Sequence, residues 1–237
     1  TTGTQNVAVG GYAGTAITTG QYNTAIGKES LEASTTADHN NALGYQALHT
    51  CTTGNKNTAL GSHSMTAVST GSQNVGVGYW SLGAGTMTGD YNIAIGSHCM
   101  FNNTTASNNT AVGNQALYAN TTGGTNTAVG AFALDANTTG AENVAVGTWA
   151  LTASTTAGQN TAVGREALTS CTTGTRNTGL GYVALQSVTT GGNNLAIGAY
   201  AGSAITTADG NCLVGYDSGQ DITTGINNTT LGTNTLH

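Results

Sequence analysis

Proline is missing from all 237 residues, and charge is almost missing too: 6% of the chain is charged and 5% is aromatic. An average globular domain carries about 25% charged residues and about 5% proline. Each scarcity excludes something. With Lys28, Lys56, Arg165 and Arg176 as the only strong cations and a formal charge of -6, no basic patch exists to hold phosphates, which argues against nucleic acid as a partner. No run of about 18 apolar residues is present to cross a bilayer. The opening "TTGTQNVAVG" lacks the charged and apolar regions of a signal peptide. Without proline, every residue can donate its backbone N–H, as a chain whose strands all pair with neighbours requires.

What is present is one short pattern, repeated. Asn-x-small-aliphatic-Gly begins at residues 6, 23, 40, 57, 74, 92, 109, 126, 143, 160, 177, 194, 211 and 228, a spacing of 17 broken by a single 18 between Asn74 and Asn92. From this anchor the consensus is N-T-A-V-G-x-x-A-L-x-x-x-T-T-G-x-x. A weaker period of 120 relates "CTTGNKNTALG" at Cys51 to "CTTGTRNTGLG" at Cys171, as duplication of a seven-repeat block would. Helical repeats need about 33 to 47 residues, and Thr, Val, Asn and Gly favour strand and turn. The expectation is an all-β chain, a parallel β-solenoid of fourteen coils forming a single domain over residues 1-237. At about 4.8 Å per coil it would be a rod about 65 to 70 Å long.

Side chains alternate along a strand, so the second and fourth positions of each unit share one face and the third takes the other. We expect the second and fourth, such as Val7 and Val9, to point inward, and Leu at the ninth, as in Leu117, Leu134, Leu151 and Leu168, to fill the far side of the core. The third position is Ala or Gly in twelve of fourteen copies. If it faces out, the column Ala8, Ala25, Ala59, Ala111, Ala128, Ala145 and Ala162 is a smooth surface for lateral packing of like subunits. The alternative is a thinner coil in which Ala packs inward and Thr faces out. The invariant Gly, as at Gly113 and Gly130, reads as a turn residue with positive φ or close backbone approach. Asn6, Asn23, Asn57, Asn109, Asn126, Asn143, Asn160 and Asn177 read as a structural ladder of stacked amides.

The units "NVAVG", "NTAIG" and "NTAVG", followed by "xxAL" and "TTG", resemble repeats of phage tail-fibre and bacterial surface-fibre proteins. More distantly they are similar to the heads of trimeric autotransporter adhesins, left-handed parallel β-rolls that form trimers. The 17-residue period is longer than the adhesin head repeat. The resemblance implies a left-handed, laterally trimerised fibre at an extracellular or virion surface, with flanking fibre segments as partners; Thr1 and His237 fall mid-coil with no capping pattern, as in the middle of something longer.

Catalysis needs unlike residues that converge, and a repeat supplies like residues in columns, so no enzyme and no cofactor is expected. The acids are scattered over the coils, unlike the close carboxylates of a calcium site. Carboxylate pairs of the polysaccharide-cleaving kind can be imagined at Glu29 with Glu32 and at Asp217 with Asp221, but not in a groove made by insertions. Histidines 39, 49, 63, 98 and 237 read as surface residues, and Cys51, Cys99, Cys171 and Cys212 as free thiols too far apart to pair. Tyr45, Tyr79, Trp80, Trp149, Tyr182 and Tyr216 lie just after the invariant Gly, along one turn edge, where a weak multivalent contact with cell-surface glycan is conceivable. A rival reading is an ice-binding protein using Thr columns at the second, thirteenth and fourteenth positions.

Overall fold

The computed structural model describes residues 2–236; Thr1 and His237, and with them the end positions read above, lie outside them. Two compact units divide the chain, Thr1–Thr122 and Gly123–His237. The first carries seven three-residue strands, β1 (Val7–Val9), β2 (Thr24–Ile26), β3 (Asn41–Leu43), β4 (Thr58–Leu60), β5 (Val75–Val77), β6 (Ile93–Ile95) and β7 (Thr110–Val112). The second carries β8 (Thr127–Val129), β9 (Val144–Val146), β10 (Thr161–Val163), β11 (Thr178–Leu180), β12 (Leu195–Ile197), β13 (Cys212–Val214) and β14 (Thr229–Leu231). Within each unit consecutive strands pair in parallel and in repeat register, Ala162 opposite Gly179 and Thr24 opposite Asn41 for example. Each unit is a parallel β-solenoid, one strand per coil, as the period requires.

The strands are short because turns make up the rest of each coil. Three non-glycine positions per coil, the seventh, ninth and seventeenth, have positive φ: Trp149 at 60°, Leu151 at 53° and Gln159 at 62° in one coil. A left-handed residue costs about 1–2 kcal/mol, and fully burying a leucine returns about 1.5–3 kcal/mol. Leu117, Leu134, Leu151 and Leu168 are indeed fully buried, and the Leu151 N–H also donates to the Ala167 carbonyl of the next coil at 3.0 Å. The invariant glycine goes further, to φ of 133° at Gly147, a region closed to residues with a Cβ.

The asparagines form a buried ladder. In the second unit Asn143 Oδ1 accepts the Asn160 N–H at 3.1 Å, while Asn143 Nδ2 donates to Ala157 O at 2.9 Å and to Asn126 Oδ1 at 3.1 Å. The same pattern joins Asn6 to Asn23, Asn40 to Asn57 and Asn160 to Asn177. Each amide thus satisfies backbone groups that the thin coil buries away from water. A second ladder, at the sixteenth position, runs beside it: Asp38 Oδ1 accepts the Gln21 N–H at 2.7 Å, Asn55 Oδ1 that of Asp38 at 2.6 Å, and Asp90 Oδ1 that of Ser72 at 2.7 Å.

The alanine column corrects the expected orientation of the strand. Ala25, Ala59, Ala111, Ala128, Ala145 and Ala162 are buried inside their own coils, Ala8 alone among those proposed for an oligomer face being exposed, in the first coil. Val9, Leu43, Leu60, Ile95, Val163 and Ile197 point outward instead. The reason is room. The ninth-position side chain crosses the coil and stops against the third position, so a methyl placed on Gly76 would lie 2.6 Å from Met65 Cγ. Where the third position is large, at Leu213, the flanking ninth positions are Gly202 and Gly219, and a methyl on either would lie 2.7 or 2.9 Å from a Leu213 Cδ. The two positions share one fixed volume.

The eighteenth residue of the long coil is absorbed between Leu82 and Met87. Gly85 and Thr86 are exposed there, and Met87 turns inward to pair with Val68. The loop carries the extra length while the buried column keeps its register.

Candidate functional site: the outward sheet face and the aromatic edge

Turning the strands over creates a surface that the sequence reading placed inside. The second and fourth positions of every coil face outward, and none of them carries a charge in any coil. At the fourth position all are Val, Ile or Leu, with Leu43 47%, Leu60 44% and Val163 38% exposed. Between the two ridges of the first unit lies a shallow groove of about 270 Å³, floored by Ala42 and Ala59 and walled by Thr24, Asn41, Leu43, Thr58 and Leu60. Cys212, at the second position of β13, belongs to this face; among the described residues it alone of the four free cysteines is not buried. Burial pushes the other thiols up, Cys51 and Cys171 to about 11 and Cys99 to about 12.

Beside the sheet face, the sixth, seventh and tenth positions form an edge rich in rings. In the first unit His63 stacks on Trp80 with centroids 4.4 Å apart, Tyr45 and Tyr79 meet His63 edge-on at 5.0 and 6.1 Å, and Phe101 stacks on Tyr118 at 5.4 Å. Lys28 Nζ stands 5.8 Å from the Tyr45 ring. In the second unit the Arg165 guanidinium lies 5.2 Å from the Trp149 ring and 5.8 Å from the Tyr182 ring, held also by Glu166 at 2.7 Å. Tyr200 sits edge-on between Tyr182 and Tyr216, at 5.3 and 6.0 Å. The expected aromatic residues therefore do line one edge within each unit, but many of their faces are spent on one another.

No family model, curated protein or solved structure matches the chain.

The scattered acids come together at one place. Glu29, Glu32 and His49 have ligand atoms within 4.8 Å of one another, with His49 Nδ1 3.3 Å from Glu32 Oε2. Glu29 is already engaged by Gln46 Nε2 at 2.6 Å and by Lys28 Nζ at 3.0 Å, and those two partners hold its carboxyl below the usual range. With Lys28 and Gln46 these three side chains form a network of ion pairs and hydrogen bonds among themselves. Asp221 lines a groove in the second unit and Asp217 lies near Tyr200.

Asp135 behaves differently. Its Oδ1 is buried without a hydrogen-bond partner, and burial raises its pKa above the ordinary carboxyl value. A carboxyl whose folded pKa is raised costs nothing while protonated and destabilises once pH climbs through that pKa. Asp135→Asn should therefore raise the melting temperature at pH 7, with the difference shrinking to nothing below about pH 4. Thermal melts of both proteins across that range test this; an unchanged or lowered melting temperature at pH 7 would contradict it.

Of the paired threonines, the thirteenth-position hydroxyls are occupied, Thr138 Oγ1 donating to Thr155 O at 3.0 Å and Thr172 Oγ1 to Thr189 O at 3.2 Å. The fourteenth-position threonines, such as Thr36, Thr53, Thr156 and Thr173, are exposed in a single column within each unit.

Proposed function

We propose that the chain is part of a structural fibre, of the kind found in phage tail fibres or bacterial surface fibres, whose coils associate laterally with further copies, as a trimer if the resemblance of its repeats holds. The observation that carries this reading is the outward face of the strands, uncharged throughout and aliphatic at the fourth position of every coil. Soluble monomers rarely leave a continuous apolar patch of more than a few hundred Å² open to water. A face repeating at one fixed spacing is best complemented by a surface with the same spacing, which another copy supplies. Function on this reading is mechanical, a scaffold at an extracellular or virion surface, with receptor contacts made by the aromatic edge.

Cys212 provides the test. In an assembly joined through this face, light scattering should give a multiple of 23.5 kDa, and a thiol reagent should leave Cys212 unmodified until the assembly is dissociated, when one thiol per chain reacts. The remaining thiols, buried and with raised pKa, stay slow because the thiolate is the reactive form. A monomer whose Cys212 reacts at once would sink the proposal.

The exposed threonine column at the fourteenth position supports the second reading, ice binding. The outward threonines of the second position, such as Thr24, Thr58, Thr110 and Thr161, add hydroxyls on the sheet face, but Val, Ile, Leu, Asn or Cys interrupts that column, so a regular two-dimensional array does not result. Thermal hysteresis measured on the purified chain decides it: none is expected for a fibre.

A further inference from the structure

The aromatic edge is unevenly open along the coils. In the first unit Trp80 is covered by His63 on one face and met edge-on by Phe101, which itself stacks on Tyr118. Rings engaged in this way cover a corner of the coil. In the second unit the seventh, tenth and eleventh positions of three consecutive coils leave an open groove of about 490 Å³. Tyr200, met edge-on by Tyr182 and Tyr216 and by no stacked ring, lines it together with Ser187, Ser203, Gln220 and Asp221. The small Ala204 makes the recess between Ser187 and Asp221.

We propose that this groove is a binding site for a neutral saccharide, with Tyr200 as the wall against which a sugar ring packs and Ser187, Ser203, Gln220 and Asp221 as its hydroxyl partners. Three features select that chemistry. The side chains of Ser187, Ser203 and Gln220 have no hydrogen-bond partner among the described residues, unlike the serines and threonines of the thirteenth position, so a ligand rich in hydroxyls gains bonds at these three without breaking any there. An aromatic ring beside unpartnered polar groups matches a pyranose, which has an apolar face and a polar rim. The lining holds a carboxylate and no cation, which disfavours phosphates, sulfates and acidic sugars. Three coils at about 4.8 Å per step span about 10 Å, enough for one ring and its linkage.

The proposal rests on the fibre reading for its biological sense, but its test does not depend on it, because assembly is read separately by mass. The test is saturation-transfer NMR and calorimetric titration of the full chain with methyl glycosides of glucose, galactose and N-acetylglucosamine, and with sialic acid as the anionic probe. At least one neutral glycoside should bind with a Kd of about 1–10 mM per site. Tyr200→Ala should weaken it by about tenfold or more, and Gln220→Ala, a half-exposed side chain with no hydrogen bond of its own to lose, by about threefold to tenfold, a lost hydrogen bond being worth about 0.5–1.5 kcal/mol. Tyr22→Ala, an exposed ring of the first unit that lies outside the aromatic edge, should leave binding unchanged. Circular dichroism confirms that each variant is folded. Absence of binding by every neutral probe, retention of binding in both groove variants, loss of binding in Tyr22→Ala, or preference for sialic acid would each overturn the proposal.

Discussion

Ala162→Lys is expected to abolish folding of the unit that contains it, while the same change one residue later, Val163→Lys, leaves the fold intact and removes lateral association. Ala162 is fully buried in β10, opposite Ala145 and Gly179, with the ninth-position leucines closing the space behind. A lysine there must place an ammonium in the core or force the coil open, a cost of several kcal/mol at least. Against a typical domain stability of about 5–15 kcal/mol, and in a solenoid whose coils are stabilised by their neighbours, that is decisive. Val163 is 38% exposed on the outward face, where a substitution alters stability by about 1 kcal/mol or less. Thermal melts and light scattering separate the two. A folded Ala162→Lys protein would show the strand to be oriented the other way, and a Val163→Lys protein still assembled would move the interface elsewhere.

Gly147→Ala is expected to be nearly as damaging, although it adds one methyl group. At φ of 133° that methyl would stand 2.6 Å from both C and O of Gly164 in the next coil. Both partners are backbone, and neither can yield: the Gly147 N–H donates to Val129 O at 2.8 Å and the Gly164 N–H to Val146 O at 2.8 Å. Strain in this region alone costs about 1–3 kcal/mol, and separating two coils breaks the hydrogen bonds on either side. A loss of about 3–5 kcal/mol, read as a shift in the denaturation midpoint, is the expected result. A shift below 1 kcal/mol would mean that the coils are not stacked this closely.

These two changes also mark what could and could not be read beforehand. The glycine was legible, because a residue found at the same place in every repeat and lacking a Cβ signals a backbone that admits none. So were the period, the strand in each unit, the inward Leu117, Leu134, Leu151 and Leu168, and an asparagine column suited to bonding between coils. The second ladder left a signal that was missed, the recurrence of Asp38, Asn55, Ser72, Asp90 and Ser107 at the sixteenth position. The left-handed backbone of the leucines left none, since leucine has no preference for positive φ; their burial imposes it.

By itself, then, the sequence determined a stack of short parallel strands with a fixed repeat, because hydrogen bonding between like coils needs nothing beyond periodicity. It did not determine which face of the strand turns inward. Alternation places the third position opposite the second and fourth but is symmetric between the two choices, and the habit of burying the larger aliphatic residues pointed the wrong way. Tertiary packing decided it: the ninth-position side chain fills the narrow coil and leaves room opposite for one methyl group. The exchange of Ala for Leu213 beside Gly202 and Gly219 is where that shared volume shows in the chain. The groove around Tyr200 likewise exists only once three coils are stacked, because its walls come from residues 17 apart that nothing along the chain brings together.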